Sequence, residues 1–185
     1  MELDLALDAD GPWGPEDPTS LEELQTWQTI LMDWIHTICT TPSLPCPAVV
    51  CQADEVSLGL RFTDDSTITT LNSTWRQRNQ ATDVLSFAAL EEAPGLPDVS
   101  CVELGDIVIS LDTARRQASE HGHNLTRELR WLVSHGLLHL LGWDHPDEES
   151  LAAMLQLQEQ LLDGGSNVQI SDPHSVDTTV DVNAH

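Results

Sequence analysis

Apolar and polar residues follow two kinds of pattern along this chain, one typical of strands and one typical of helices. Leu3, Leu5 and Leu7 alternate with polar residues, which predicts a short strand. Similar β-rich runs occur at 55–62, 83–87 and 106–110. Apolar residues at helical spacing predict helices after Ser20 and over 66–76, 112–122, 125–141 and 146–162.

Several helix boundaries are marked by residues that favour helix ends. Ser20 and Glu23 form a capping-box pattern at the start of the first helix, and the prolines of TTPSLPCP end it. Gly122 and Gly142 each follow a helical run and are predicted to end it. The segment GPWGPEDP before the first helix is a predicted loop. Residues 164–185 lack periodicity and large aromatic side chains, so we expect a disordered tail.

The length and charge of the chain limit its class. A chain of 185 residues is typical of one domain, which we expect to span residues 1–163. A net charge of −24 disfavours loose binding to DNA, RNA or anionic membranes. All seven basic residues are arginines between positions 61 and 130, so a local positive patch could still form there. No apolar run is long enough to cross a membrane and no secretory signal is visible, so we expect a cytoplasmic protein.

The four cysteines, Cys39, Cys46, Cys51 and Cys101, contain no CxxC pair. Without a secretory signal, a disulfide framework is not expected. Their spacing also argues against a metal site built from thiolates. We therefore expect buried free thiols.

The segment HGLLHLLGWDH has the spacing of a metal site. His135 and His139 are four residues apart on a predicted helix, which places both imidazoles on one face. Gly142 ends that helix, so the chain can turn back and bring His145 to the other two. Three imidazoles with an open fourth position are typical of catalytic zinc. Two histidines at this spacing would be only suggestive, but the third favours a metal site.

The same ligand spacing occurs in metzincin proteases, whose general base is missing here. In those enzymes a glutamate directly follows the first histidine. In this chain that position is Gly136, which cannot accept a proton from a zinc-bound water. The glycine therefore disfavours a zinc peptidase, although the ligand spacing fits one.

Three further segments precede this motif in order: NSTWRQRNQATDVLSF, LGDIVIS and DTARRQASEHG. Together with HGLLHLLGWDH, which is similar to the signature HGxLHLxGxDH, they resemble the YbeY family of bacterial metal-dependent endoribonucleases. The resemblance covers about residues 50–162. Trp75 stands where the family commonly has Tyr, and Ala88 stands where it often has Pro. Neither departure touches the three histidines.

The resemblance implies a fold, a metal and a substrate. The fold class would be α/β, a single domain with a small mixed sheet and helices packed on it. One zinc ion per chain would be bound by His135, His139 and His145. Arg76, which follows the aromatic Trp75, would be the catalytic arginine. The substrate would be single-stranded ribosomal RNA rather than DNA, in maturation of the 16S RNA 3′ end and in ribosome quality control, with the small ribosomal subunit and ribosome-associated factors as partners.

Within such a mechanism, several roles stay open. Zinc would lower the pKa of a bound water, and Arg76 would contact the phosphate. An ordinary ion pair is the alternative for Arg76, and the resemblance favours the phosphate contact. The general base is unassigned, and the RNA 2′-hydroxyl could replace water as the nucleophile.

Supporting residues are also open at this level. Asp144, Asp83 or Asp106 could orient a ligand imidazole, or each could simply cap a helix or a strand end. Arg115 and Arg116 could guide the RNA backbone, and solvated surface charge is an equal alternative.

Two other classes of function are kept as alternatives. One is a zinc-dependent peptidase with metzincin-like site geometry, which Gly136 disfavours. The other is a non-catalytic ribosome-assembly factor whose zinc is structural. A structural site would need a fourth protein ligand, and no cysteine lies near the motif to supply one.

Overall fold

The computed structural model of the chain describes residues 1–9, 21–90 and 100–164. Four strands and six helices lie in these ranges. The strands are β1 (Glu2–Ala9), β2 (Glu55–Thr63), β3 (Val84–Ala88) and β4 (Cys101–Ser110). The helices are α1 (Leu21–Thr40), α2 (Ala48–Gln52), α3 (Asp65–Arg76), α4 (Leu111–His121), α5 (Leu125–Leu140) and α6 (Glu148–Leu162). No helix in the described ranges is both long enough and apolar enough to span a membrane.

The strands form one mixed sheet in the order β1-β2-β4-β3. β2 pairs in parallel with both β1 and β4, whereas β3 runs antiparallel to β4 and lies at the sheet edge. The predicted fold class, a single α/β domain with a small mixed sheet, is therefore confirmed. The capping box at Ser20, the loop GPWGPEDP and nearly all of the tail predicted at 164–185 lie outside the described residues.

Some elements differ from the sequence-based prediction. The short helix α2 was not predicted, because five residues are too few to show a helical period. β4 begins at Cys101, whereas the sequence pattern predicts a start at residue 106. The prediction misses the first part of the strand because Gly105 interrupts the alternation of buried and exposed positions. Gly105 has a φ of +119°, and the pairing of β2 with β4 shifts its register nearby, between Ser57 and Leu58. A strand with such an irregularity is read from sequence as two shorter pieces.

Helices cover the two faces of the sheet unequally. One face packs against α1 and α5 through the main core, in which Phe62, Ile107 and Ile109 are fully buried, and α6 packs against α5. The opposite face packs against α3 through a much smaller cluster around Ile68 and Val108. Because α3 is short, part of this second face stays open, and the sheet can present a surface there.

α5 comes close to the sheet at Gly136. A Cβ atom at this position would lie 2.8 Å from Ile107 Cγ2 and 3.2 Å from Ile107 Cδ1. Real Cβ atoms do not come this close to other carbons, so only glycine lets α5 pack at this distance from β4. The backbone of α5 is thereby held against the sheet at the residue next to His135.

Substitution of Gly136 by alanine should destabilise the fold. Alanine gains about 1 kcal/mol of helix propensity over glycine, but overpacking against Ile107 costs about 1–3 kcal/mol. We expect a net loss of about 1 kcal/mol in the free energy of unfolding, measured by urea denaturation. The loss should shrink in an Ile107→Ala background, where the obstructing side-chain carbons are removed. A Gly136→Ala variant more stable than wild type would contradict this packing.

Candidate metal centre

The three histidines of HGLLHLLGWDH meet at the C-terminal end of α5. The Nε2 atoms of His135 and His139 lie 3.1 Å apart. The ring centroid of His145 lies 5.7 Å from that of His135 and 5.2 Å from that of His139. Two nitrogens that bind one tetrahedral zinc ion are separated by about 3.3 Å, given Zn–N bonds of about 2.05 Å. The three side chains are thus arranged to share one cation.

A tight turn after α5 brings His145 to this position. Gly142 has a φ of +88°, which favours glycine, and its N–H donates to the carbonyl of His139. The indole N–H of Trp143 donates to the carbonyl of Pro45 at 2.9 Å, which fastens the turn to the segment after α1. The helix break that the sequence predicts at Gly142 therefore serves to return the chain toward the helix.

Both helical histidines are held in the neutral form that metal binding requires. Burial lowers the pKa of His135, and the neighbouring His145 lowers it further. Burial also lowers the pKa of His139, with additional contributions from His135 and His145. Two imidazoles that resist protonation have free nitrogen lone pairs available to a cation.

Gln158 on α6 orients the imidazole of His135. Its Oε1 lies 3.2 Å from His135 Nδ1, and its Nε2 donates to the carbonyl of Trp131 and to Ser134 Oγ. Because the amide N–H groups are used in these two bonds, Oε1 is the atom that accepts from His135 Nδ1–H. This contact leaves His135 Nε2 unprotonated and aimed at His139. Sequence reasoning missed Gln158, since α6 lies over 20 residues away and only the tertiary fold brings it to α5.

The three aspartates considered from the sequence are placed differently from Gln158. Asp144 Oδ1 accepts from the backbone N–H of His145, and Asp83 accepts from Val84 N–H and Gln117 Nε2. The Asp144 contact is local, whereas Asp83 joins the start of β3 to Gln117 on α4. Each carboxylate acts on a helical histidine through its charge, Asp83 on His135 and Asp144 on His139. Asp106 lies on the open face of the sheet.

An open cleft joins the histidines to the uncovered face of the sheet. Strand pairing places Ala6, Gly59 and Asp106 side by side on β1, β2 and β4. Because alanine and glycine have little or no side chain, the sheet surface is uncovered along this row. A Cβ at Gly59 would collide with the Asp106 carboxylate. The cleft passes from this row along β3 to His135, His139 and His145.

Arg76 lines the same cleft, at the C-terminal end of α3. One guanidinium nitrogen donates to the carbonyl of Ser86 on β3 at 3.1 Å. Within the described part of the chain, Arg76 makes no ion pair within 4.0 Å, so its charge is not neutralised by an adjacent carboxylate. The guanidinium is thus exposed, tethered at one edge, and directed along the cleft wall.

Other cleft residues were not singled out from the sequence. Trp75 is 66% exposed and contacts Phe87 edge to face, with ring centroids 6.0 Å apart. Arg61 and Arg78 also line the cleft. An exposed indole beside arginines is a surface on which a base can stack while its phosphate is bound. The neighbouring Trp–Arg pair was a signal in the sequence for this surface.

Arg115 and Arg116 lie away from this cleft in the described structure. Arg116 pairs with Asp65 at 2.8 Å and donates to Thr113 Oγ1. Asp65 also accepts from Ser110 and Thr113 at the start of α4. The Arg116–Asp65 pair therefore joins α3 to α4, which fits a structural role better than guidance of RNA.

Comparison with known proteins matches this architecture to a family. The family model described as Endoribonuclease YbeY matches residues 21–165. A protein named Endoribonuclease YbeY from Parasynechococcus marenigrum (strain WH8102) is 91% identical over 185 residues, covering all of both chains. One of the same name from Synechococcus sp. (strain CC9902) is 57% identical over 169 residues, covering 91% of this chain and 94% of its own. The chain belongs to the YbeY endoribonuclease family.

A solved structure supports the fold independently. The solution structure of TM1509 from Thermotoga maritima covers 86% of this chain and 90% of its own, with a TM-score of 0.50 and 18% sequence identity. At this level of identity the likeness concerns the fold alone.

Replacement of Gln158 by leucine should weaken metal binding at the histidine centre. Loss of the partner of a ligand imidazole typically costs about 10–100-fold in metal affinity. We expect a reduction in that range for Gln158→Leu, measured by zinc competition against a chelator of known affinity. Gln156→Leu, on the exposed side of α6, is the matched control and should bind as wild type. Equal affinity of Gln158→Leu and wild type would show that this amide does not orient the ligand.

Proposed function

We propose that this member of the family cleaves single-stranded RNA with one zinc ion bound by His135, His139 and His145. The convergence of three imidazoles at the end of a cleft that carries Arg76 is the observation that supports this proposal most strongly. Imidazole is a ligand well suited to zinc, and three imidazoles leave a coordination position for water or substrate. Zinc is therefore the cation we assign to the centre.

The cleft fits a single strand better than a folded protein or a duplex. Its wall carries Arg61, Arg76 and Arg78 for phosphates and the exposed indole of Trp75 for a base. Stacking on an aromatic side chain requires an unpaired base, whereas a duplex keeps its bases stacked on one another. The proposed substrate is precursor 16S ribosomal RNA near its 3′ end, encountered in the cytoplasm on the small ribosomal subunit.

In the proposed mechanism, the residues of this chain position the phosphate and the metal ligands. A bound zinc ion supplies a Lewis acid and lowers the pKa of a water bound to it. Gln158 keeps His135 in the tautomer that leaves Nε2 free. Arg76 contacts the scissile phosphate through guanidinium N–H groups and stabilises the charge that develops on its oxygens. We assign the catalytic domain to residues 1–163.

The peptidase alternative is disfavoured by the packing of α5. Position 136 faces Ile107 on β4, so a glutamate there would be directed into the core instead of toward the histidines. The general base of a metzincin therefore has no place in this fold. The structural-zinc alternative is disfavoured because, in the ranges that the structure describes, no fourth His, Cys, Asp or Glu joins the three imidazoles.

Arg76→Ala should slow RNA cleavage by about 10²–10³-fold without loss of zinc, because removal of one charge-stabilising donor has an effect of this size. Arg76→Lys should retain part of the rate, since lysine keeps the positive charge but cannot donate the two parallel hydrogen bonds of a guanidinium group. The measurement is single-turnover cleavage of a labelled single-stranded RNA by chelator-treated and zinc-reconstituted protein. The same strand annealed to its complement should be cut much more slowly.

Arg127→Ala is the matched control, because Arg127 makes an exposed ion pair with Glu159 on the helices behind the site. It should cleave at the wild-type rate. Full activity in Arg76→Ala would remove this arginine from the mechanism. Failure of the zinc-reconstituted wild type to cut single-stranded RNA, or equal activity after zinc removal, would contradict the proposed function.

A further inference from the structure

Three of the four cysteines come together where α1 ends. Cys39 lies in the last turn of α1, Cys46 in the segment that follows, and Cys51 on α2. The Sγ atoms of Cys39 and Cys46 are 3.7 Å apart, and all three Sγ atoms lie within 4.8 Å of one another. The cysteines are free thiols, as the sequence predicts, but these three are half-buried and grouped, which the sequence pattern does not show.

The polypeptide around the cluster is held in place by the fold. Leu44 is buried in the main core and its N–H donates to the carbonyl of Thr41, which closes the turn after α1. Val50 on α2 is fully buried, and its N–H donates to the carbonyl of Pro47. These anchors lie on both sides of Cys46, so the three thiols are brought together before any ligand binds. Each cysteine is half-buried, which leaves a path from solvent.

The separation of the sulfurs matches a shared cation. Two thiolates on one tetrahedral zinc ion are about 3.8 Å apart, given Zn–S bonds of about 2.3 Å. A disulfide would need a sulfur–sulfur distance of about 2.05 Å. We propose that Cys39, Cys46 and Cys51 form a second metal site, which binds one soft, thiophilic cation such as Zn²⁺ or Cu⁺ and is separate from the histidine centre.

The charge of the chain segment that carries the cluster is compatible with a cation. Residues 1–60 contain eleven acidic and no basic residues, so no lysine or arginine of this segment competes with a metal for the thiolates. Burial raises the pKa of Cys39 to about 12, and burial also raises the pKa of Cys46. Without a cation the two thiols are therefore protonated. On binding, each S–H bond is replaced by an S–metal bond, and the protons pass to solvent.

Cadmium is a suitable probe, because its bonds to thiolates give an ultraviolet charge-transfer absorption that bonds to imidazole do not give. The full-length chain, reduced and kept free of oxygen, would be titrated with Cd²⁺. We expect the absorption to rise until one equivalent is bound to the thiols, with release of protons into a weakly buffered solution. Cys39→Ser, Cys46→Ser and Cys51→Ser should each lose most of the absorption.

Two controls separate this site from the rest of the molecule. Cys101→Ser should keep the full absorption, because Cys101 lies at the start of β4 beside Glu55. His139→Ala should also keep it, so the outcome does not depend on the proposed RNA cleavage. Absence of the absorption in wild type, or its persistence in any of the three cluster variants, would overturn the proposal.

A second measurement on the wild-type chain does not depend on how the variants fold. Alkylation with iodoacetamide followed by mass spectrometry should show that Cd²⁺ protects Cys39, Cys46 and Cys51 and leaves Cys101 reactive. Equal alkylation of all four cysteines with and without Cd²⁺ would contradict the site. Formation of a disulfide within the cluster under mild oxidation, with no cadmium absorption in the reduced chain, would assign the cluster to redox chemistry and overturn the metal proposal.

Discussion

The contact between Gly136 and Ile107 is the constraint on which the rest of the structure depends. It holds α5 against β4 at a distance that a side chain at position 136 could share only by displacing Ile107. Because successive helix residues are rotated by about 100°, residue 136 faces the core while His135 and His139 face the cleft. One packing contact therefore turns His135 and His139 toward the cleft and also removes the position from which a metzincin base would act. The chain therefore shares the histidine spacing of metzincins but lacks the general base that peptide hydrolysis needs there.

The distribution of charge also limits how the molecule can attract nucleic acid. A net charge of −24 opposes general attraction of nucleic acid, yet Arg61, Arg76 and Arg78 all line one cleft with the three histidines. In the proposed function, phosphate would be attracted locally by these few guanidinium groups and not by the protein as a whole. Such an arrangement favours an enzyme that acts on a presented RNA segment over one that degrades RNA indiscriminately.

Much of this arrangement could be predicted from the sequence, because it is local in the chain. The helix pattern, the glycine break and the histidine spacing all lie within one segment, and the boundaries of α5 and the turn at Gly142 follow from them. The mixed sheet was predicted through the family resemblance. The break in β4 at Gly105 was not, since a bulge changes the alternation on which strand prediction depends.

Features that depend on distant parts of the chain could not be predicted. Gln158 contacts His135 only because α6 packs beside α5, and no spacing rule connects the two residues. The thiol cluster forms because a turn anchored by Leu44 returns the chain to the end of α1. In the same segment, the carbonyl of Pro45 accepts a hydrogen bond from the indole N–H of Trp143. The segment that carries Cys46 is therefore fastened to the turn between Gly142 and His145.

The most direct measurement is a paired determination of zinc content and RNA cleavage for wild type, His139→Ala and His36→Ala. His36 is exposed on α1 and serves as the matched control. We expect His139→Ala to lose one equivalent of zinc and nearly all cleavage of single-stranded RNA, while His36→Ala retains both. Full zinc content together with wild-type cleavage in His139→Ala would contradict the central claim that the three histidines bind the catalytic metal.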